Sequence, residues 1–280
     1  MKRMRLFAIA LGVMLAMSAC AAPTPTPNPT TAPIVAPATA ANANGALTVY
    51  AAASLTSAFK EIAAAFEQAN PGSHVEFNFA GSQDLVTQIS NGARADVFAS
   101  ADLKNMDALQ KQALIHGAPQ VFARNKLVVI VPQTNPADLK ALQDLAKPGI
   151  KLIVADKTVP VGNYTLQMLD KLSTDAAFGA GFKDAALKNV VSQENNVKAV
   201  LSKISLGEGD AGVVYTTDAQ TALKQVTMID VPDQFNVIAL YPLATVKDAP
   251  NAALAAKWVE FVLSPQGQTI LLKYGFIPPS

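Results

Sequence analysis

The segment Leu47-Thr48-Val49-Tyr50-Ala51-Ala52-Ala53-Ser54-Leu55 is an apolar run that ends in a serine. Beyond it, Leu55, Ala58, Phe59, Ile62 and Phe66 recur at the spacing of one buried helical face. The stretch predicts strand, short turn and helix, with Ser54 where the helix begins. A helix start leaves backbone N–H groups without partners and carries a partial positive charge, so it attracts anions. A lone serine there also reads as an ordinary N-cap that serves its own helix. The choice turns on whether the chain aims other helix starts at the same point.

The next unit repeats the pattern. Val75-Glu76-Phe77-Asn78-Phe79 alternates as a strand, runs into Ala80-Gly81-Ser82, and hands over to a helix marked by Leu85, Val86 and Ile89. Ala95-Asp96-Val97-Phe98-Ala99 predicts a third strand, followed by a helical region through Leu114. Leu127 to Pro132 is a fully apolar strand of the kind buried on both faces. Lys151 to Ala155 leads to Val159-Pro160-Val161-Gly162-Asn163 and a helix bearing Leu166, Leu169 and Leu172, with proline at its start. Val190-Val191 is a short strand, after which Glu194-Asn195-Asn196 precedes a helix carrying Val197, Val200, Leu201 and Ile204. A glycine-led strand ends at Tyr215, further strands fall near 226–231 and 237–241, and two helices close the chain, stopping at Tyr274-Gly275. Strands alternating with helices predict an α/β body with mainly parallel sheets.

Composition narrows the function. The 280 residues have room for one large domain or two modest ones, with 50% hydrophobic and 15% charged residues. A net charge of +1, with no basic run beyond the N-terminus, argues against a nucleic-acid partner. The single cysteine, Cys20, forms no intrachain disulfide and no thiolate metal cluster. His74 and His116 lie far apart in sequence and in no ligand-spaced motif, so side-chain metal ligands are not expected.

The N-terminus is an export leader. Lys2, Arg3 and Arg5 precede the apolar stretch Leu6 to Met17, which is too short to span a membrane, and Ser18-Ala19 lead to Cys20. This resembles a bacterial lipoprotein signal over 1–19, which implies lipidation at Cys20 and a place outside the cytoplasm, in the periplasm or on the cell surface. The alternative is an ordinary secretory signal cleaved near Ala22. Residues 20–46 are rich in Ala, Pro, Thr and Asn and carry no charge, so they form a linker of at most ~80 Å at about 3.1 Å per residue.

Four strand-to-helix junctions present polar or small residues: Ser54, Ser82, Val161-Gly162 and Asn196-Val197. Ligands of open α/β sheets bind at the carboxyl ends of the strands, where such junctions lie. Two fall early and two late, which fits two lobes facing each other across a cleft, 47–126 with 226–280 and 127–225. None places a lysine or arginine at its tip. The combination is rich in donors and poor in counter-charges.

In these segments the chain resembles the periplasmic molybdate-binding proteins of ABC importers. The resemblance covers about 47 to 280. It rests on Ala51-Ala52-Ala53-Ser54-Leu55, on Ala80-Gly81-Ser82 with Leu85 and Gln88-Ile89, and on Ala95 through Asp102. Val159 through Tyr164, Gly212 through Ala219, and Ser264-Pro265-Gln266 with Tyr274-Gly275-Phe276 follow in the same order. It implies the two-lobed type II periplasmic-binding-protein fold, with two crossings between lobes. It also implies a monomeric binding protein, not an enzyme, that carries molybdate or tungstate to a membrane permease. By the same resemblance the oxyanion is held by hydroxyl and N–H at Ser54 and Ser82, by the N–H groups of Val161 and Val197, and by the Tyr215 hydroxyl. No cofactor and no metal–side-chain ligand are implied. Val161 stands where better-known members have alanine, which affects pocket size more than the N–H bond. Asp84, one turn beyond Ser82, is expected to point to solvent.

The chemistry of the donors favours ligands that carry no proton near neutral pH, as molybdate and tungstate do. Hydrogen phosphate would need an acceptor. Sulfate shares the missing proton and differs in size, so it stays an alternative, as does ferric ion held by Tyr50, Tyr164 and Tyr215. A hydrolase with Ser54 or Ser82 as nucleophile would need a base, and the nearest histidine, His74, sits at the wrong end of its strand.

Overall fold

The computed structural model describes residues 45–279. The leader, Cys20 and nearly all of the linker lie outside them. The opening segment forms β1 (Gly45–Ala52), a 3-10 turn (Ala53–Leu55) and α1 (Thr56–Ala69). All five apolar positions named for the helical face are buried, and Phe59 and Phe66 pack edge-on against Trp258 at 5.6 and 5.3 Å between ring centres. That aromatic cluster fixes α1 against α8 (Ala252–Leu263) and α9 (Pro265–Lys273), so the end of the chain closes over its beginning.

The first sheet is built from β1, β2 (Ser73–Ala80), β3 (Val97–Ala99), β4 (Ile115–Asn125) and β10 (Ala239–Val246), in the order β2-β1-β3-β10-β4. The second sheet repeats the arrangement as β7-β6-β8-β5-β9, from β5 (Leu127–Pro132), β6 (Leu152–Ala155), β7 (Val190–Glu194), β8 (Ala211–Tyr215) and β9 (Val226–Asp230). Helices α2 (Ser82–Ser90), α3 (Leu103–Lys111), α4 (Pro160–Thr174), α5 (Phe182–Lys188), α6 (Val197–Ser205) and α7 (Thr216–Gln220) complete the two lobes. This is the expected two-lobed α/β architecture.

Three details differ from expectation. In each sheet three strands run parallel and the last two pair antiparallel, so the sheets are mixed. β5 is buried along its whole length as expected, with β8 and β9 antiparallel on its two edges and α4, α6 and α7 packed against its faces. β4 is a strand where no strand is expected. It holds Gly117 and Pro119, pairs with β10 along its length and otherwise bridges Ile277 at Arg124, and a sheet edge is where such residues are tolerated. β9 belongs to the second sheet, not to the lobe formed by 226–280. Its residues pair with β5 from Val128↔Asp230 to Pro132↔Val226, so the second crossing falls between Asp230 and Ala239.

Register positions the functional edge. Ala52 lies opposite Ala80, and Ala51 opposite Ala99, so β1, β2 and β3 end together. Ala155 lies opposite Glu194, which brings the ends of β6 and β7 level in the same way. Each lobe thus delivers two helix starts to one edge of its sheet.

Candidate functional site

Ser54 and Ser82 do not serve their own helices. Ser54 sits inside the 3-10 turn, α1 begins after Leu55 without a side-chain cap, and the Ser54 hydroxyl instead meets the Tyr241 hydroxyl at 3.0 Å. Ser82 is the first residue of α2, behind Gly81, and its Oγ accepts the Ala101 N–H at 3.1 Å. An oxygen that already accepts leaves its O–H free to donate elsewhere. Pro160 has no N–H, so Val161 supplies the first donor of α4, and Val197 supplies the first of α6. The α6 cap is Asn196, whose side chain accepts from Ala199 N–H at 3.0 Å and is thereby occupied.

These starts converge. Ser54, Ser82, Val161, Val197 and Tyr215 line one small cavity, together with Ala52, Ala53, Gly81, Ala101 and Asn196. Each of the five is at most 5% exposed. The two lobes touch at its rim, where Gln83 Nε2 donates to the Asn195 carbonyl oxygen at 2.9 Å. Gly81 is needed there for space: a Cβ at this position would collide with the same carbonyl.

The Tyr215 hydroxyl is buried and makes no hydrogen bond to any of the described residues. Burial, with Tyr241 and Tyr164 nearby, pushes its ionisation well above the ordinary phenol value, so it remains a neutral donor. An unmatched buried hydroxyl costs ~1–3 kcal/mol, which an acceptor in the cavity would recover.

Charge is kept out of the cavity wall. Lys198 follows Val197, but its ammonium lies 2.8 Å from the buried carboxylate of Asp218, on α7. Burial raises the Asp218 carboxyl above its usual range while Lys198 holds it down, and the pair largely cancels its own charge. Asp102 is likewise occupied. It caps α3 and accepts from Asn105 N and Nδ2 at 2.9 Å, although burial raises its pKa. Asp84 is half-buried and does not line the cavity.

Residues named in the alternatives are dispersed. Tyr50 and Tyr164 are absent from the cavity wall. His74 pairs with Ala46 at the start of β1, six residues from the strand ends or ~20 Å at 3.3 Å per residue, and its ring meets Glu67 at the surface. Neither serine has a histidine base in this arrangement.

Bacterial extracellular solute-binding proteins match residues 47–277 as a family. The chain belongs to that family. The molybdate-binding protein ModA of Mycobacterium tuberculosis is 37% identical over 247 residues, 88% of this chain and 90% of the relative. Two solved structures share the fold. The periplasmic molybdate-binding protein of Azotobacter vinelandii has a TM-score of 0.72 at 23% identity, covering 84% of this chain and all of the other. The sulfate-binding protein SubI of M. tuberculosis has a TM-score of 0.75 at 19% identity, covering 84% and 87%. As an extracellular solute-binding protein the chain works outside the cytoplasm.

Sequence reasoning missed three contributors: Tyr241, the Ala101 N–H and the Gln83–Asn195 contact across the rim. Tyr241 is legible only as the end of a strand, because the pairing of β10 with β3 joins segments about 140 residues apart.

Proposed function

We propose that this protein captures molybdate, with tungstate as its near equivalent, and delivers it to the membrane permease of an ABC importer. The observation that carries the reading is the donor set: two serine hydroxyls, the unpartnered Tyr215 hydroxyl and helix-start N–H groups around one small cavity, with no basic side chain on its wall. Such a set suits a fully deprotonated tetrahedral anion and offers hydrogen phosphate no acceptor. The ModA relative supports the choice among oxyanions.

Hydroxyl and N–H at Ser54 and at Ser82, N–H at Val161 and Val197, and the Tyr215 hydroxyl make the binding set. Bonds to a charged ligand at ~1.5–3 kcal/mol each sum to roughly 10–20 kcal/mol gross. Ordering and desolvation consume part of it, which leaves room for nanomolar binding near −12 kcal/mol at about 1 nM. The protein acts as a monomeric carrier and not as an enzyme. Its leader 1–19 directs export and is cleaved before Cys20, and the lipid on Cys20 holds it to the membrane, with 20–46 as the tether. Calorimetry with molybdate, tungstate, sulfate and phosphate in turn tests the reading. Tight molybdate and tungstate binding is expected, and sulfate binding of equal strength would refute it.

A further inference from the structure

Tyr241 is fully buried and lies behind the cavity wall, where it touches Ser54 and not the cavity itself. Its hydroxyl has two neighbours within hydrogen-bond distance: Ser54 Oγ at 3.0 Å and Asn125 Nδ2 at 3.4 Å. The sense of these bonds follows from the backbone. The Lys126 N–H can only donate, so the Asn125 atom facing it at 3.0 Å must be the carbonyl oxygen Oδ1. The amide nitrogen then faces the other way, and gives one hydrogen to Thr217 Oγ1 at 2.8 Å and the other to Tyr241. Among the described residues Ser54 Oγ is the one acceptor within reach of the Tyr241 proton, so donation to it is the arrangement that leaves no buried hydrogen unsatisfied. Ser54 therefore accepts from behind and must turn its proton into the cavity.

We propose that Tyr241 is a positioning residue that, held by Asn125, commits the Ser54 hydroxyl to donate to the bound oxyanion. The inference rests on the proposed oxyanion function and adds to it a source of selectivity against protonated anions. An unconstrained serine hydroxyl can rotate and accept a proton from hydrogen phosphate. One that already accepts from Tyr241 can take a proton from hydrogen phosphate only through its remaining lone pair, which leaves its own buried proton without an acceptor and weakens that anion relative to molybdate. Ser82 is arranged alike, because the Ala101 N–H occupies its oxygen at 3.1 Å. Burial also keeps the Tyr241 phenol protonated, as the relay requires. Asn125 ends β4 at the crossing between the sheets, and Thr217 lies on α7 of the second lobe, so the relay is anchored on both lobes.

The test is a double-mutant cycle of Tyr241→Phe and Ser54→Ala in the full chain, read by calorimetry with molybdate and with phosphate at neutral pH. Tyr241→Phe keeps the ring and removes the hydroxyl. It is expected to weaken molybdate binding roughly three- to tenfold, the scale of one neutral hydrogen bond, and to lower the molybdate-to-phosphate preference. In the Ser54→Ala background the same change should have no further effect on either anion. Unfolding of the ligand-free variants gives the Ser54–Tyr241 coupling independently of any anion, and Asn125→Ala should shift affinity in the same Ser54-dependent way. Wild-type affinity in Tyr241→Phe, an equal loss with and without Ser54, or an unchanged preference would overturn the assignment. Should the wild type bind sulfate and ignore molybdate, the ligand reading falls and the cycle with sulfate decides the relay by the same criteria. Binding of none of these anions would overturn both.

Discussion

Removing the Tyr215 hydroxyl should weaken binding while leaving folding unchanged. In the closed cavity that hydroxyl is buried and has no partner among the described residues, so Tyr215→Phe deletes none of their hydrogen bonds. Ligand-free, the open cleft leaves that hydroxyl in water, so the variant should unfold at about the same temperature as the wild type. With an oxyanion bound, the same hydroxyl donates to a charge, and its loss should cost ~1.5–3 kcal/mol, or about 10- to 150-fold in affinity. The ring stays, so its packing at 5.8 Å between centres against Tyr241 is kept. Paired calorimetry with molybdate and thermal unfolding without it give both numbers from one preparation. Unchanged affinity would remove Tyr215 from the binding set. A clear loss of ligand-free stability would mean that the hydroxyl has a structural partner.

Ser54→Ala and Ser82→Ala should each weaken molybdate binding by ~1.5–3 kcal/mol, and unchanged affinity in both would take these residues out of the site. Gly81→Ala has ordinary backbone angles, φ −61 and ψ 140, so ligand-free stability should hold, yet its Cβ meets Asn195 only when the lobes are closed. Affinity should fall and small-angle scattering with excess molybdate should show a less compact form; normal closure would contradict the contact. Asp144 accepts from Lys140 N–H and Ala141 N–H and faces Lys147, which holds its carboxyl down at about 2. Because the folded value lies below the ordinary one, its stabilisation is present above the normal carboxylate range and is lost as pH falls towards about 2. Asp144→Asn should flatten that part of the stability–pH curve, measured by urea unfolding, and an unchanged acid limb would dismiss it. Metabolic lipid labelling should mark the wild type and not Cys20→Ala; label on the variant would place the lipid elsewhere.

The parallel halves of both sheets were legible because their information is local. The apolar run ending at Ser54, the alternation through Phe79 and the helix faces that follow each lie within about 20 residues. Register then did the rest: strands paired from a common start bring Ser54 and Ser82 to one edge with no special instruction. What stayed hidden depends on distant pairing. β4 carries glycine and proline and becomes a strand because β10 arrives beside it. β9 joins the second sheet through β5, a choice no periodicity encodes. The role of a tyrosine that never touches the cavity is invisible for the same reason. Ser54 itself is ambiguous as a sequence, since a capping serine and a ligand serine look alike. The structure removes the capping role, since its oxygen bonds to Tyr241 and to no N–H of its own helix.

The neutral donor set also explains why such a protein should close only around its ligand. Closing the lobes buries the Tyr215 hydroxyl and the helix starts at Ser82, Val161 and Val197 away from water. Without an acceptor between them, each stranded donor costs ~1–3 kcal/mol, which opposes closure. The rim contact from Gln83 to Asn195 is a single neutral hydrogen bond, worth ~0.5–1.5 kcal/mol, too little to offset several such donors. A tetrahedral dianion satisfies donors from both lobes at once and reverses the balance. A lysine on the wall would have weakened this dependence, because a cation attracts any anion, protonated or not, and would bind it with the cleft open. Keeping the nearest ammonium, Lys198, engaged by Asp218 therefore serves selectivity and closure together. Lys198→Met should leave Asp218 as an unpaired buried carboxyl and destabilise the ligand-free protein by roughly 3–5 kcal/mol. Asp218→Asn should instead release the ammonium towards the cleft and narrow the gap between molybdate and phosphate affinities. An unchanged gap in Asp218→Asn would mean that the ion pair matters for folding alone.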